Sequence, residues 1–346
     1  MTKTRVLVVD DSPTMRRLLT MILEKDPTID VVGTAEDPYE ARQAIKSLNP
    51  DVITLDVEMP RMNGIAFLEK IMALRPMPVV MVSSHTRKGA DAAIEAMTKG
   101  AIDCVGKPTG ACVDDAFGDL AKIVRDAATA RVRARPAAPA DRPAPAAPAG
   151  DFRAGDRIFL LGASTGGVDA LMALTASLPA ACPPTLIVQH MPAAFSESFA
   201  SHLNGVCPAE VRLAEEGAPL RQGVVYVAPG GERHLVVDKT GSRCRLAEGP
   251  KVNGHSPSVD RLFASAEPLA ARVSAALLTG IGADGAEGLR LLRDGGAKTF
   301  AQDEATCVVY GMPKAAGRMG AVERELPLAR IAPALLSTCA ERSLVS

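Results

Sequence analysis

Ser164 lies in Leu161-Gly-Ala-Ser-Thr-Gly-Gly167, directly after the apolar run 157–161. A buried strand that runs into a turn of small residues can leave a hydroxyl exposed at its tip. Residues 168–174 then read as a helix whose first N–H groups point at the same place. Such a site suits an activated nucleophile and equally a bound phosphate. A serine nucleophile needs a base within hydrogen-bond reach and a third group to orient that base. The chain has five histidines. His85 falls in the first half, His202 in the helical pattern 195–203, His234 at the start of a hairpin strand and His255 in the Gly/Pro/Ser-rich loop 249–257. His190 alone ends an apolar strand run (185–189) and so falls on the sheet edge of Ser164; geometry precedes pKa in choosing a base. Two acids compete to orient it. Asp284 stands in Thr279-Gly-Ile-Gly-Ala-Asp-Gly285 and Asp303 follows residues 298–302, both at strand ends. The glycine-rich loop permits close backbone approach, which favours Asp284.

A second group of reactive side chains sits in the first half. Asp10 and Asp11 close one apolar run, Asp56 the third, Ser83 the fourth and Lys107 the fifth. In an open parallel sheet the strand C-termini converge on one edge, where ligands bind. Carboxylates crowded there repel one another and favour a hard divalent cation with oxygen ligands, typically Mg²⁺. A lysine and a hydroxyl at the same edge can hold phosphoryl oxygens, so the group suits a carboxylate that takes up a phosphoryl group as a mixed anhydride. A lone aspartate at a strand end is usually a helix N-cap; five such positions on one edge point to a site.

Both sets of residues require an α/β frame. In the first half the runs 5–9, 30–33, 51–55, 78–82 and 101–105 read as strands, alternating with helical patterns over 15–24, 39–48, 65–74 and 90–99. In the second half strands over 158–161, 185–189, 274–278 and 299–301 again alternate with helices. Residues 234–237 and 242–246 flank Asp238-Lys-Thr-Gly241, a hairpin signal. The expected fold class is therefore two doubly wound, mainly parallel-sheet α/β domains, the second carrying a β-hairpin. Between them, residues 126–155 are dominated by Ala, Pro and Arg, a composition that cannot bury a core and reads as an extended linker. The expected division is a first domain over 3–122, a linker over 123–153 and a second domain over 154–346.

The chain has 346 residues, 47% hydrophobic, with a formal net charge of −1. That length favours two domains, and the charge balance argues against a nucleic-acid-coating protein. Its seven cysteines are dispersed and include no Cys-x-x-Cys pair, which points to reduced thiols rather than disulfides or zinc. The first strand begins at once, with no room for a signal peptide, and no apolar run approaches the ~20 residues that span a bilayer. A cytoplasmic protein without membrane insertion is expected. The glycines of 162–167 lack an acidic ribose partner at the usual spacing, so a dinucleotide site is not supported. The order Ser164, His190, Asp284 also departs from the Ser, Asp, His order of α/β-hydrolases, although Gly162-Ala-Ser-Thr-Gly166 matches their pentapeptide.

Val8-Val-Asp-Asp-Ser12, Leu55-Asp-Val-Glu-Met-Pro-Arg-Met-Asn-Gly64, Met81-Val-Ser-Ser84 and Lys107-Pro108 resemble a two-component receiver domain of flavodoxin-like fold over about residues 3–122. The resemblance implies that Asp56 is the phosphoacceptor. It implies Mg²⁺ held by Asp11, Asp56 and the backbone carbonyl of Glu58, with Asp10 assisting through water, and Ser83 and Lys107 as switch hydroxyl and phosphate partner. Cys104 departs from the pattern, because receivers usually carry an aromatic residue there. In the second half Leu161-Gly-Ala-Ser-Thr-Gly-Gly167, Gln189-His-Met-Pro192, Ala228-Pro-Gly230 with His234, Pro257-Ser-Val-Asp260 and Leu278-Thr-Gly-Ile-Gly-Ala-Asp-Gly-Ala286 recur in one family. With the receiver in front, the whole chain resembles the chemotaxis response-regulator protein-glutamate methylesterases. That resemblance implies a Rossmann-like catalytic domain with Ser164, His190 and Asp284 as triad and an oxyanion site near Thr165 and Ile281. Ile281 stands where the family commonly has methionine, so a backbone contribution is expected there. It further implies demethylation, and in some members deamidation, of the cytoplasmic helices of methyl-accepting chemoreceptors. A chemotaxis histidine kinase would be phosphodonor, Mg²⁺ would serve the receiver, and the hydrolysis itself would need no cofactor.

Overall fold

The computed structural model describes residues 3–84, 86–107, 117, 119–130, 132 and 154–340. The chain divides into two compact units, Met1–Arg142 and Pro143–Ser346. His85, Pro108, Cys112 and the linker residues 133–153 lie outside the described residues.

The first unit runs β1 (Thr4–Val9), α1 (Pro13–Glu24), β2 (Ile29–Ala35), α2 (Pro38–Leu48), β3 (Val52–Asp56), α3 (Gly64–Leu74), β4 (Val79–Ser83), α4 (Arg87–Thr98), β5 (Asp103–Gly106) and α5 (Leu120–Ala128). Its strands form one parallel sheet in the order β2-β1-β3-β4-β5. Strands β3 and β4 are buried along their whole length, which is why they read as unbroken apolar runs rather than alternating ones. Helices start where side-chain oxygens cap them: Ser12 accepts from the Met15 amide, Asp37 from Tyr39 and Glu40, and Asn63 from Ala66.

The second unit runs β6 (Ile158–Ala163), α6 (Gly167–Thr175), β7 (Thr185–Gln189), α7 (Ala193–Val206), β8 (Glu210–Leu213), β9 (Val224–Val227), β10 (His234–Val237), β11 (Cys244–Ala247), α8 (Val259–Ser265), a 3-10 segment (Glu267–Arg272), β12 (Val273–Leu277), α9 (Ala286–Asp294), β13 (Lys298–Gln302), α10 (Met312–Arg318), β14 (Arg324–Leu326) and α11 (Leu328–Ala340). Seven strands make a parallel sheet in the order β14-β13-β12-β6-β7-β9-β8, and β10 with β11 forms a separate antiparallel pair. From β6 the chain winds out one way through β7 and returns to wind out the other way through β12. The edge above β6 and β12 is thus a topological switch point, where α/β sheets open a crevice.

Among the boundaries that differ from the sequence expectation, two have a visible cause. The hairpin's second strand begins at Cys244 rather than Ser242, because the Asp238 carboxylate accepts from the Ser242 and Arg243 amides at 2.8 and 3.1 Å and holds both in the loop. The division between residues 122 and 123 falls inside α5. Leu120, Val124 and Ala127 recur at helical spacing and are buried, and α5 packs on β1, β3, β4 and α1. The Ala- and Arg-rich composition that continues past 128 hides this short apolar stripe.

Burying a valine stabilises by about 1.5–3 kcal/mol. A first-unit fragment ending at residue 130 is therefore expected to melt several degrees above one ending at 122. Equal melting temperatures by circular dichroism would show that α5 contributes nothing to that unit.

Candidate active site

Register places the chemistry of the second unit before any side chain is considered. Ala163 pairs with Gln189 across β6 and β7, so Ser164 and His190 are the next residues on neighbouring strands, one strand spacing (about 4.8 Å) apart. Leu277 pairs with Gly162 on the opposite flank of β6, which brings the loop carrying Asp284 to the same edge. The Ser164 amide donates to the Thr279 carbonyl and the His190 amide to the Ala163 carbonyl, fastening both residues to the sheet ends. Gln189 Nε2 donates to the carbonyls of Ser164 and His190 at 2.9 and 3.0 Å and locks the two strand ends together.

The serine turn is held from three sides. Gly166 has φ 75°, a left-handed conformation that lets the chain reverse into α6. Gly280 has no room for a side chain. A Cβ there would lie 2.8 Å from the Ser164 Cβ and 2.2 Å from the Met312 sulfur. Thr279 Oγ1 donates to the Thr165 carbonyl at 3.0 Å. Thr165, next to Ser164 in the chain, is buried, and Ile281, next to Gly280, is half-buried.

Asp284, 1% exposed, is bonded to His190, with Nε2 and Oδ2 2.8 Å apart. The same carboxylate accepts from Ser258 Oγ at 2.8 Å and from the Val259 and Asp260 amides at 2.7 and 3.1 Å, at the first turn of α8. Burial works to raise the Asp284 pKa, but the bond to His190, the charge on that ring and the bonds from Val259 and Ser258 outweigh it. The carboxyl is held well below the usual range. Since a carboxylate can only accept, Nε2 carries a proton, and in the neutral ring the lone pair is then on Nδ1. Nδ1 is buried and hydrogen-bonds to no residue. Asp303, the rival acid, is used otherwise: it accepts from the Thr306 amide and hydroxyl at 2.9 and 2.6 Å and shapes the loop after β13. His202 bonds the Ser198 carbonyl and His234 the Pro250 carbonyl.

Sequence reasoning passed over three participants. Ser258 is both N-cap of α8 and a donor to Asp284. His255 stacks its ring on His190 with centroids 3.8 Å apart. Asp260 is buried against Asp284, accepting from the Gly288 amide at 2.7 Å and from Asn253 at 2.8 Å. Burial pushes the Asp260 carboxyl up; the Gly288 amide opposes this, and the Asp284 charge adds to the rise.

In the first unit the carboxylates of Asp10, Asp11 and Asp56 offer oxygens all within 4.8 Å of one another. Lys107 Nζ lies 2.7 Å from Asp56 Oδ2 and 3.0 Å from Asp10 Oδ2. Three carboxylates against one ammonium leave two charges uncompensated when all are ionised, and the all-oxygen donor set fits a hard divalent cation. Burial pushes the Asp56 carboxyl up to about 6, Lys107 pulling the other way. Glu58 donates its amide to Asp56 Oδ1 at 3.2 Å, which leaves its carbonyl free of that bond. Ser83 is buried and donates to the Gly89 carbonyl at 2.8 Å. Arg16, not singled out from sequence, ties down the Asp10 and Asp11 carbonyls at 2.7 and 3.0 Å. Cys104 is buried on β5, in register with Met81.

A hydroxyl on a strand-to-helix turn, an adjacent imidazole and a buried carboxylate behind it are thus gathered at one sheet edge. The family model of the CheB methylesterase matches residues 159–335, and that of the response regulator receiver domain residues 6–112. The protein-glutamate methylesterase/protein-glutamine glutaminase of Rhizobium etli is 54% identical over 340 residues, covering 98% of this chain and 97% of that relative. Its counterpart numbered 1 in Caulobacter vibrioides is 52% identical over 99% of this chain and 100% of its own length. Among solved structures, the Thermotoga maritima CheB methylesterase catalytic domain is 35% identical with a TM-score of 0.51, covering 53% of this chain and 98% of that domain. The chain belongs to the CheB methylesterase family, with a receiver domain ahead of the hydrolase domain. It is a hydrolase of that kind. Among the described residues no helix is long and apolar enough to cross a membrane.

The raised Asp260 carboxyl has a stability consequence whose sign is fixed. Its unfolded pKa is near 3.9, so it is neutral in both states well below that. Ionising it in the folded state costs stability as pH rises from there through the folded value. Asp260→Asn is expected to melt above the wild-type chain at pH 8, with the difference shrinking toward pH 4. A difference independent of pH by scanning calorimetry would contradict the assignment.

Proposed function

We propose that the chain is a phosphorylation-activated protein-glutamate methylesterase, with glutaminase activity at the same centre. Its substrates are side chains on the cytoplasmic helices of methyl-accepting chemoreceptors, and its reaction serves sensory adaptation in the cytoplasm. The observation that carries this reading is the buried His190–Asp284 bond one strand from Ser164.

Ser164 Oγ attacks the γ-carbonyl of a glutamyl methyl ester while His190 Nδ1 takes its proton. Asp284 keeps the Nε2–H tautomer in place and stabilises the imidazolium that forms. The tetrahedral oxyanion is met by amide N–H groups of the turn at Thr165 and of the Ile281 loop, usually a large part of the rate in such sites. Collapse expels the methoxy group, which leaves as methanol with the proton from His190. Water, deprotonated by His190, then attacks the acyl-serine and releases the glutamate carboxylate. A glutamine side chain enters the same acyl-enzyme by losing ammonia instead of methanol. No step calls for a cofactor.

In the receiver, Asp56 is the phosphoacceptor, and a histidine kinase of the chemotaxis system supplies the phosphoryl group. Asp10, Asp11, Asp56 and the Glu58 carbonyl would hold Mg²⁺, which when bound neutralises charge on the transferring phosphoryl group. Lys107 is poised to hold its oxygens and Ser83 to act as the switch hydroxyl. The Ala/Pro-rich linker that follows α5 gives the receiver a high effective concentration at its neighbour. The unphosphorylated receiver restrains hydrolysis at Ser164, and phosphorylation of Asp56 relieves that restraint.

Ser164→Ala is expected to abolish both methanol release from methylated receptor and labelling by a fluorophosphonate; demethylation near the wild-type rate would remove Ser164 from the mechanism. Residues 152–346 alone should outpace the unphosphorylated full chain, and a phosphodonor should raise only the full chain. Equal rates in all four conditions would leave no place for control by the receiver.

A further inference from the structure

The segment between β11 and α8 carries His255 onto the face of His190. The Val252 and His255 backbones exchange hydrogen bonds, Val252 N to His255 O at 3.0 Å and His255 N to Val252 O at 2.9 Å. Between them Asn253 and Gly254 have φ 51° and 83°, the pair of left-handed residues that closes a tight two-residue hairpin and for which Asn-Gly is the preferred sequence. Asn253 anchors that turn to α8 through its bond to Asp260 at 2.8 Å. The next residue after the turn is His255, whose ring lies parallel to His190 within 8° at 3.8 Å.

We infer that His255 is a positioning residue for His190, holding the plane of the base. The bond to Asp284 fixes Nε2, but a histidine can still turn about χ2, a torsion with a broad well. That rotation moves Nδ1 further than Nε2, which lies nearer the Cβ–Cγ axis. Nδ1 makes no hydrogen bond that would stop it. A flat ring against the imidazole face does, because rotation would drive the ring edge into its neighbour. The stack therefore holds the ring plane, and with it the direction of the Nδ1 lone pair that the proposed mechanism needs at the Ser164 hydroxyl. Misplacing a reacting group by about 1 Å can cost on the order of 10²-fold in rate. What is asked of residue 255 is a flat face, not a proton or a hydrogen bond.

This inference rests on the reading of Ser164 and His190 as nucleophile and base, and Ser164→Ala tests that reading separately. In the phosphodonor-activated full chain, His255→Ala is expected to lower kcat for methanol release by about 10- to 100-fold, with KM for methylated receptor changed less than about twofold. His255→Phe, which keeps a flat ring and cannot titrate, should restore most of kcat; His255→Gln, which keeps hydrogen bonding without the ring, should not. The Phe and Gln variants decide the matter even if Ala unfolds the turn. Wild-type kcat in His255→Gln, or no rescue by His255→Phe, overturns the inference while leaving the triad reading intact.

Discussion

Asp284 is a carboxylate taken out of water at the end of a sheet, and such a group costs several kcal/mol unless its oxygens are paired. Three of its partners come from one place, the Ser258 hydroxyl and the Val259 and Asp260 amides at the start of α8. The helix N-terminus favours the negative charge as well as supplying the donors. The fourth partner is His190. The arrangement explains why α8 is capped at Ser258, and why the chain returns to β12 beside β6, the strand that leads into Ser164.

The same pairing sets the chemistry. A carboxylate on Nε2 sets the tautomer of the neutral His190 ring and leaves the lone pair on Nδ1, the atom that takes the proton in the proposed mechanism. Asp260 enlarges the negative field behind the ring, since two buried carboxyls that touch cannot both be comfortable as anions. The structure absorbs this by raising Asp260 and depressing Asp284. The one nearer the imidazole keeps its charge. In the first unit a cluster of carboxylates is handled differently. There Lys107 covers two of three, and the remaining charge suits a divalent cation.

Much of this was legible in the residues. Buried parallel strands read as apolar runs, so β3, β4, β6 and β7 could be located, and with them the edge shared by Ser164 and His190. Asp284 and Asp303 both close strands in polar loops, and the glycine-rich loop was the one local sign in favour of Asp284; the return of α8 beside Asp284, a tertiary fact, separates them. Ser258 could have been suspected as a helix N-cap just before an apolar stretch. Asn253-Gly254 was a readable turn signal whose importance lies in where it sends the next side chain. The end of the first unit was masked because Val124 and Ala127 sit in a stretch whose composition merges with the linker.

The account stands on the ring of His190 being protonated at Nε2 and bare at Nδ1. Nitrogen-15 NMR of the histidine side chains in the full chain, at a pH where the ring is neutral and with His190 assigned through its loss in His190→Gln, reads this directly. The expected spectrum has a protonated, strongly hydrogen-bonded Nε2 and an unprotonated Nδ1. A neutral ring carrying its proton on Nδ1 would mean that Asp284 does not set the base, and would contradict the account.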